Sequence, residues 1–311
     1  MPAKPRSDSL NGLLRIAFAA TTWGLIPVFV RLVHTNAVVI VFWRVGFAAI
    51  TVSIILASRG KLGRFFELPK KRKWAIIAMG ALLSVNWMLY LGALQLTKVA
   101  IAVLIAYCGP VFVAVLTPLI SREPFDRRLI LPLVLAIAGV ATIVNPQDLA
   151  LESGTHLLGA AMALGSAVTY SLLILNSKRL IQDIPATVYT FGEYLGALTL
   201  LLPVVLLSKG PSAPVEWGSL MVLGVFMTSA TGLVFLSGLR KVRADHAAVL
   251  TYAEPVSAVV FSAIFLNEPI TLVTGIGAAL VVAGGAIVAR MEPQQGIEAP
   301  GLVPEVIPEE I

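Results

Sequence analysis

A few ionisable side chains lie deep inside apolar segments that are long enough to cross a membrane. Glu254 lies near the middle of one such segment, where a charged carboxylate is costly unless it faces a cavity or a partner. Burial favours the protonated form, so Glu254 is a candidate for substrate or proton binding. The alternative is that Glu254 is neutral and hydrogen-bonded, and that it packs between helices beside Pro255. Arg44 and Glu193 lie in two other segments and are expected to pair locally, to reach the membrane surface or to contact the charged ends of a zwitterion.

Tyrosines and prolines recur at matched depths in two segments. Tyr107 and Tyr252 precede Pro110 and Pro255 by three residues, which places each tyrosine close to the helix face of its proline. They lie too deep for an interfacial anchor, which favours cavity lining over simple packing. The prolines are expected to kink their helices, and these kinks serve either as gate hinges or as static bends.

Other aromatic and amide side chains lie near the centres of their segments. Asn86 and Trp87 fall in the third segment, while Trp23 and Tyr170 occupy matching places in the first and sixth. An aromatic-lined pocket suits a planar or apolar substrate. The other interpretation is that these rings fill the core of a helical bundle.

The segments that must position these residues are transmembrane helices. With 58% hydrophobic and 13% charged residues among 311, the chain has too little polar surface for a soluble globule. The apolar stretches predict an all-α polytopic membrane protein with ten transmembrane helices. These are expected at 12–31, 37–57, 74–96, 99–120, 128–144, 156–179, 185–207, 216–239, 244–266 and 270–289.

The second half of the sequence repeats the first at a constant offset of 145 residues. The recurring residues are Leu91, Leu94, Ala102, Tyr107, Pro110, Val111, Val115, Glu123, Pro124, Leu135, Ala138 and Gly139, which reappear as Leu236, Leu239, Ala247, Tyr252, Pro255, Val256, Val260, Glu268, Pro269, Leu280, Ala283 and Gly284. Five crossings per half is an odd number, so two inverted five-helix repeats are predicted, at 12–144 and 156–290. This is the architecture of a secondary transporter.

Loop charges predict the orientation. Of the 23 lysines and arginines, only Arg31, Lys98 and Lys209 fall in loops on one side of the membrane, and nearly all the others fall on the opposite side. The positive-inside rule therefore predicts cytoplasmic N- and C-termini. Residues 1–11 form a cytoplasmic tail in this scheme, residues 145–155 connect the halves, and the acidic, proline-rich segment 291–311 is expected to be a disordered cytoplasmic tail.

These motifs, taken in order and duplicated, resemble the drug/metabolite transporter superfamily of the ten-helix EamA type, and within it the YddG-like aromatic amino acid exporters of the bacterial inner membrane. The resemblance is carried by Trp23-Gly24, Arg44, the run from Tyr90 through Ala93-Leu94 to Ala100 and Ala102, the Pro110 helix and Glu123-Pro124. It implies a multi-pass inner-membrane exporter of aromatic or apolar amino acids or related metabolites, working by alternating access through a central cavity, with Tyr90 among the cavity residues. The repeats differ where Gly109-Pro110 corresponds to Glu254-Pro255.

Several other classes are disfavoured. There is no GxxxxGK[ST], HExxH or GxSxG motif, so neither an ATPase nor an intramembrane enzyme is expected, and no metal or cofactor. The basic residues lie in short loops rather than on one face, which argues against nucleic acid. A carrier of sugar phosphates or nucleotide sugars stays open, although such substrates call for more buried cations than Arg44 alone. Proton coupling through Glu254 and uncoupled export both remain open.

Overall fold

The computed structural model describes residues 6–97, 99–121, 123–143, 154–266 and 271–291, and the regular elements in these ranges are all helices. The first half contains α1 (Arg6–Trp23), α2 (Ile26–Val30), α3 (Ala37–Ser58), α4 (Arg64–Glu67), α5 (Lys70–Leu96), α6 (Val99–Ala106), α7 (Gly109–Ile120) and α8 (Ile130–Ile143). The second half contains α9 (Gly154–Asp183), α10 (Ala186–Leu206), α11 (Pro214–Val222), α12 (Thr231–Leu239), α13 (Ala244–Leu250), α14 (Ala253–Leu266) and α15 (Leu272–Arg290). A π-helix over Leu223–Ala230 joins α11 to α12.

Within the described residues, nine segments are long and apolar enough to cross a membrane, and they correspond to nine of the ten predicted spans. The all-helical, multi-pass architecture is thereby confirmed. The remaining span, predicted at 128–144, contains the 14-residue helix α8, which ends where the described residues end. Helix α1 begins at Arg6, inside the predicted 1–11 tail, with Asp8 in its first turn, where a negative charge favours the helix dipole. The tail predicted at 291–311 lies outside the described residues except for Met291, and the linker at 145–155 except for Gly154 and Thr155.

The outer surface of the bundle is suited to lipid rather than to water. Leu119, Leu207 and Leu272 are 75%, 93% and 82% exposed. Hydroxyl groups along the helices bond back to their own backbone. The hydroxyl of Thr142, for example, donates to the Ala138 carbonyl at 2.7 Å. Such local bonds satisfy polar groups where hydrocarbon offers no partner.

Most of the helix packing joins one half of the chain to the other. Helix α1 packs along α12, α5 along α9 and α10, α3 along α10 and the π-helix, α7 along α9, and α8 along α15. The α8–α15 contact is close enough to require glycine: a methyl group at Gly139 would lie 2.5 Å from the Gly277 carbonyl oxygen, and one at Gly284 would lie 2.8 Å from that of Pro132. Adding 145 to Pro132 and Gly139 gives Gly277 and Gly284, so these two contacts are equivalent under the sequence repeat.

Two crossings are interrupted near their middle. Helix α6 ends at Ala106 and α7 begins at Gly109, while α13 ends at Leu250 and α14 begins at Ala253. Pro110 and Pro255 both lie in the first turn of the following helix, where a backbone N–H has no intrahelical acceptor to lose. The prolines therefore start new helices after a break, instead of bending a continuous helix.

Candidate functional site

The two helix breaks touch each other inside the bundle. The Tyr252 hydroxyl donates to the backbone carbonyl of Tyr107 over 2.6 Å. Their rings stack with centroids 6.1 Å apart and an interplanar angle of 29°. Tyr252 is 1% exposed and Tyr107 is half-buried, and the bond links two residues that are 145 positions apart. A carbonyl released at the end of α6 thus finds its donor on the equivalent break in the other half.

Tyr170 connects the two breaks from α9. Its ring lies against the start of α7, since a methyl group at Gly109 would lie 2.7 Å from the Tyr170 Cδ1 atom. Its hydroxyl lies 3.0 Å from Thr251 Oγ1 at the second break. Tyr90 on α5 and Tyr107 lie close enough for an electrostatic interaction between their hydroxyl groups. Four tyrosines from four segments therefore surround the two interruptions.

Opposite charges reach this region from α3 and α14. The Arg44 Nε atom donates to Thr228 Oγ1, and the guanidinium carbon lies 4.8 Å from the centroid of the Trp87 ring, a cation–π arrangement. Glu254, in the first turn of α14, lies within electrostatic range of Arg44 and of the hydroxyl groups of three tyrosines. Those three are Tyr90, Tyr107 and Tyr170.

We call Arg44, Trp87, Tyr90, Tyr107, Tyr170, Tyr252 and Glu254 the central cluster. Arg44 and Glu254 are half-buried. Trp87, Tyr90, Tyr107 and Tyr170 are half-buried as well.

The other predicted site residues lie beside this cluster or apart from it. Trp23 donates through Nε1 to the Met227 carbonyl at 2.9 Å and to Thr231 Oγ1 at 2.8 Å, which ties α1 to the crossing that contains the π-helix. Asn86 and Glu193 form hydrogen bonds with residues outside the central cluster. The Asn86 amide donates to the Ser166 carbonyl at 2.7 Å and to Thr169 Oγ1 at 2.9 Å. Glu193 accepts from Tyr189 at 2.8 Å, whose hydroxyl also meets Ser177 Oγ at 2.7 Å.

The π-helix is a feature that sequence reasoning missed. Thr228 within it donates to the Leu223 carbonyl at 2.8 Å, accepts from Arg44 through its hydroxyl, and accepts from the Tyr194 hydroxyl through its carbonyl at 3.0 Å. A π-helical turn widens the backbone and often marks a functional position. The signal in the sequence was the polar run Thr228-Ser229 in an apolar span.

His246 also departs from expectation. A histidine at a span end is expected to be solvated at the interface, but its residue is 5% exposed and its Nε2 atom lies 3.3 Å from Asp126 Oδ2. The physical reason is tertiary: the loop that holds Asp126 folds over the start of α13. Among the described residues, no group of three histidine, cysteine, aspartate or glutamate side chains is arranged to hold a metal ion.

Comparison with known proteins gives a consistent result. The sequence model described as the EamA-like transporter family matches residues 10–145 and again 157–290. The chain is similar to an uncharacterized transporter of Archaeoglobus fulgidus, with 29% identity over 282 residues, 88% of this chain and 97% of that protein. It is 28% identical over 237 residues to the threonine/homoserine exporter RhtA of Salmonella typhimurium, covering 73% and 76% of the two chains. A crystal structure of similar fold matches with a TM-score of 0.77 at 20% identity, covering 88% of this chain and 95% of that one.

Proposed function

Because the chain belongs to the EamA-like transporter family, we propose that it is a secondary transporter that exports amino acids with aromatic or apolar side chains, or related small metabolites. Transport proceeds by alternating access to a cavity lined by the central cluster. The proposed location is the bacterial inner membrane. No enzymatic step and no cofactor are part of this proposal.

The single observation that carries the proposal is the hydrogen bond that joins two interrupted helices within electrostatic range of Glu254. Irregular backbone at membrane depth is tolerated where it lines a cavity or is buried in protein. In secondary transporters such half-helix ends form the binding site between the repeats. The bond from Tyr252 to Tyr107 and the nearby charges of Arg44 and Glu254 fit this pattern.

The chemistry of the cluster suits a zwitterion with a flat or apolar side chain. The bond from Arg44 to Thr228 uses Nε and leaves the Nη groups in position to bind a carboxylate through two parallel hydrogen bonds. Glu254 is placed to receive an ammonium group. The rings of Tyr90, Tyr107 and Trp87 offer apolar faces for a side chain. Arg44 is the one cation in the cluster, which makes sugar phosphates and nucleotide sugars poorer candidates.

Two further features support the inverted ten-helix arrangement that alternating access requires. The family model matches each half separately, and the α8–α15 glycine contacts are exchanged by the 145-residue offset. In this proposal α8 supplies the tenth crossing, both termini are cytoplasmic, and rocking of one half against the other exposes the cluster to each side in turn. The threonine/homoserine exporter among the relatives supports the amino-acid class.

The test is efflux from proteoliposomes preloaded with labelled phenylalanine, threonine, glutamate or a sugar phosphate, with and without an imposed pH gradient. We expect selective efflux of phenylalanine or threonine, and dependence on the pH gradient would assign protons as a coupling partner. Efflux of the sugar phosphate alone would overturn the substrate class. An absence of efflux for all four compounds would count against amino-acid export.

A further inference from the structure

Two charged loops meet at one end of the bundle, and each neutralises its own buried carboxylate. Between α7 and α8, Arg128 binds both oxygens of Asp126, from Nε to Oδ1 at 3.0 Å and from Nη2 to Oδ2 at 2.8 Å. Where the α12–α13 loop joins α13, Arg243 binds Asp245 in the same manner, at 3.1 and 2.8 Å. Asp126 is 1% exposed and Asp245 is fully buried. Each loop therefore carries a bidentate ion pair between residues two positions apart.

Among the described residues, three contacts of 3.0 to 3.4 Å join the two loops to each other. His246 Nε2 lies 3.3 Å from Asp126 Oδ2, and Arg243 Nη1 lies 3.4 Å from Glu123 Oε2. Arg243 Nη2 also donates to the Pro124 carbonyl at 3.0 Å. We call these three contacts between the loops the loop latch.

The loop latch lies at the outer ends of two half-helices that lead to the central cluster. Helix α7 runs from the first break to the loop that holds Glu123, and α13 runs from the loop that holds Arg243 to the second break. The two half-helices pack against each other. Separation of the loops would therefore allow α7 and α13 to part and would open a route to the cluster from that end.

The ion pairs within each loop are stronger than the contacts of the loop latch. This difference favours reversible opening. If the loops separate, Asp126 keeps Arg128 and Arg243 keeps Asp245. The groups that lose a partner are His246, the carbonyl of the exposed Pro124, and Glu123, whose Oε2 atom is buried although 29% of its side chain is exposed. Opening therefore keeps the two buried aspartates paired with their arginines, which avoids the large cost of leaving those charges without a partner.

The equivalent positions in the sequence repeat do not carry the same residues. Subtracting or adding 145 converts Arg243, Asp245 and His246 into Lys98, Ala100 and Ile101, and Asp126 and Arg128 into Thr271 and Val273. Only Glu123 and Pro124 recur, as Glu268 and Pro269. Lys98 and Glu268 thus keep the charges of Arg243 and Glu123, whereas the two aspartate–arginine pairs and His246 have no equivalent in the sequence repeat.

We propose that the loop latch is the gate that closes one end of the transport pathway, with Glu123, Arg243 and His246 as its positioning residues. This inference rests on the proposed transport function. The gate opens once per transport cycle by separation of the α7–α8 and α12–α13 loops. Because the positive-inside rule assigns both loops to the cytoplasm, the gate controls the cytoplasmic entrance.

The test is the labelling rate of Cys108, the only cysteine of the chain, by a membrane-impermeant maleimide, and it requires no substrate. Cys108 lies at the first helix break, is half-buried, and is within electrostatic range of Tyr252. Labelling is measured in inside-out vesicles and in intact cells. The variants are Glu123→Gln, His246→Ala, and His246→Gln, which retains an N–H donor near the position of Nε2. Asp183→Asn is the matched control, since Asp183 pairs with Arg72 at 3.1 Å in an exposed ion pair between α9 and α5.

We expect Glu123→Gln to raise the labelling rate in inside-out vesicles about threefold and His246→Ala about tenfold, from the usual strengths of partly exposed and buried charged contacts. His246→Gln should restore much of the original rate, and Asp183→Asn should leave it unchanged. Elution as a single species in detergent confirms folding of each variant. If Glu123→Gln and His246→Ala both label at the wild-type rate, or if labelling rises only in intact cells, the gate assignment is wrong. Neither result bears on the efflux assay. Failure of the gate proposal can therefore be distinguished from failure of the proposed transport function.

Discussion

Substitution of Tyr252 by phenylalanine tests whether the two helix breaks depend on each other. The change removes one hydroxyl and keeps the ring, so the stack on Tyr107 at 6.1 Å is retained. The lost bond is 2.6 Å long, its donor residue is 1% exposed and its acceptor residue is half-buried, so the Tyr107 carbonyl loses this donor inside the bundle. An unsatisfied buried acceptor costs about 1–3 kcal/mol. We expect Tyr252→Phe to lower the thermal midpoint in detergent by several degrees.

Tyr107→Phe is the matched control, because it removes the equivalent hydroxyl of the other repeat while the carbonyl that accepts the bond remains. Both proteins are unfolded by heat in the same detergent and followed by tryptophan fluorescence. We expect the Tyr252 variant to lose clearly more stability than the Tyr107 variant. Equal thermal midpoints for Tyr252→Phe and the wild type would show that the hydrogen bond between the two helix breaks does not stabilise the protein.

Three further changes follow from the geometry. Glu254→Gln should abolish or alter efflux and its pH dependence while the protein elutes normally from size exclusion, and unchanged efflux at every pH would remove Glu254 from the mechanism. Gly139→Val should reduce the yield of folded protein, because even a methyl group there would lie 2.5 Å from the Gly277 carbonyl oxygen and overpacking is costly; normal yield would contradict the close α8–α15 contact. Hydrogen bonds from Arg128 hold the pKa of Asp126 well below its usual value, so its stabilising contribution is present above the unfolded pKa of about 3.9 and is lost as the pH falls. Thermal midpoints of wild type and Asp126→Asn should therefore differ at pH 7 and converge in acid, and a constant difference would refute this.

Some expectations could be formed from the sequence because they depend on local or additive properties. The length and apolarity of the segments predict the membrane spans, since each helix must satisfy its own backbone in hydrocarbon. The 145-residue offset predicts two equivalent units. The positions of Pro110 and Pro255 indicate where the helices are irregular, because proline lacks an N–H group.

Other features depend on how each helix is rotated about its axis. The sequence of a transmembrane helix that is apolar on all sides gives little indication of which face packs against neighbouring helices. Glu193 and Glu254 look alike in the sequence, yet Glu193 bonds to Tyr189 in the packed interior while Glu254 joins the central cluster. The Asn86 amide likewise forms its hydrogen bond with α9 and not with the central cluster.

By itself, the sequence determined the number and type of most crossings, the duplication, and the set of residues from which a site can be built. The tertiary structure decided which of them meet: Arg44 with Thr228 and Trp87, Tyr252 with Tyr107, and His246 with Asp126. The physical reason is that hydrophobic burial in the bilayer acts on each segment separately. Hydrogen bonds and ion pairs between segments form only when packing between distant parts of the chain sets the rotation and depth of every helix.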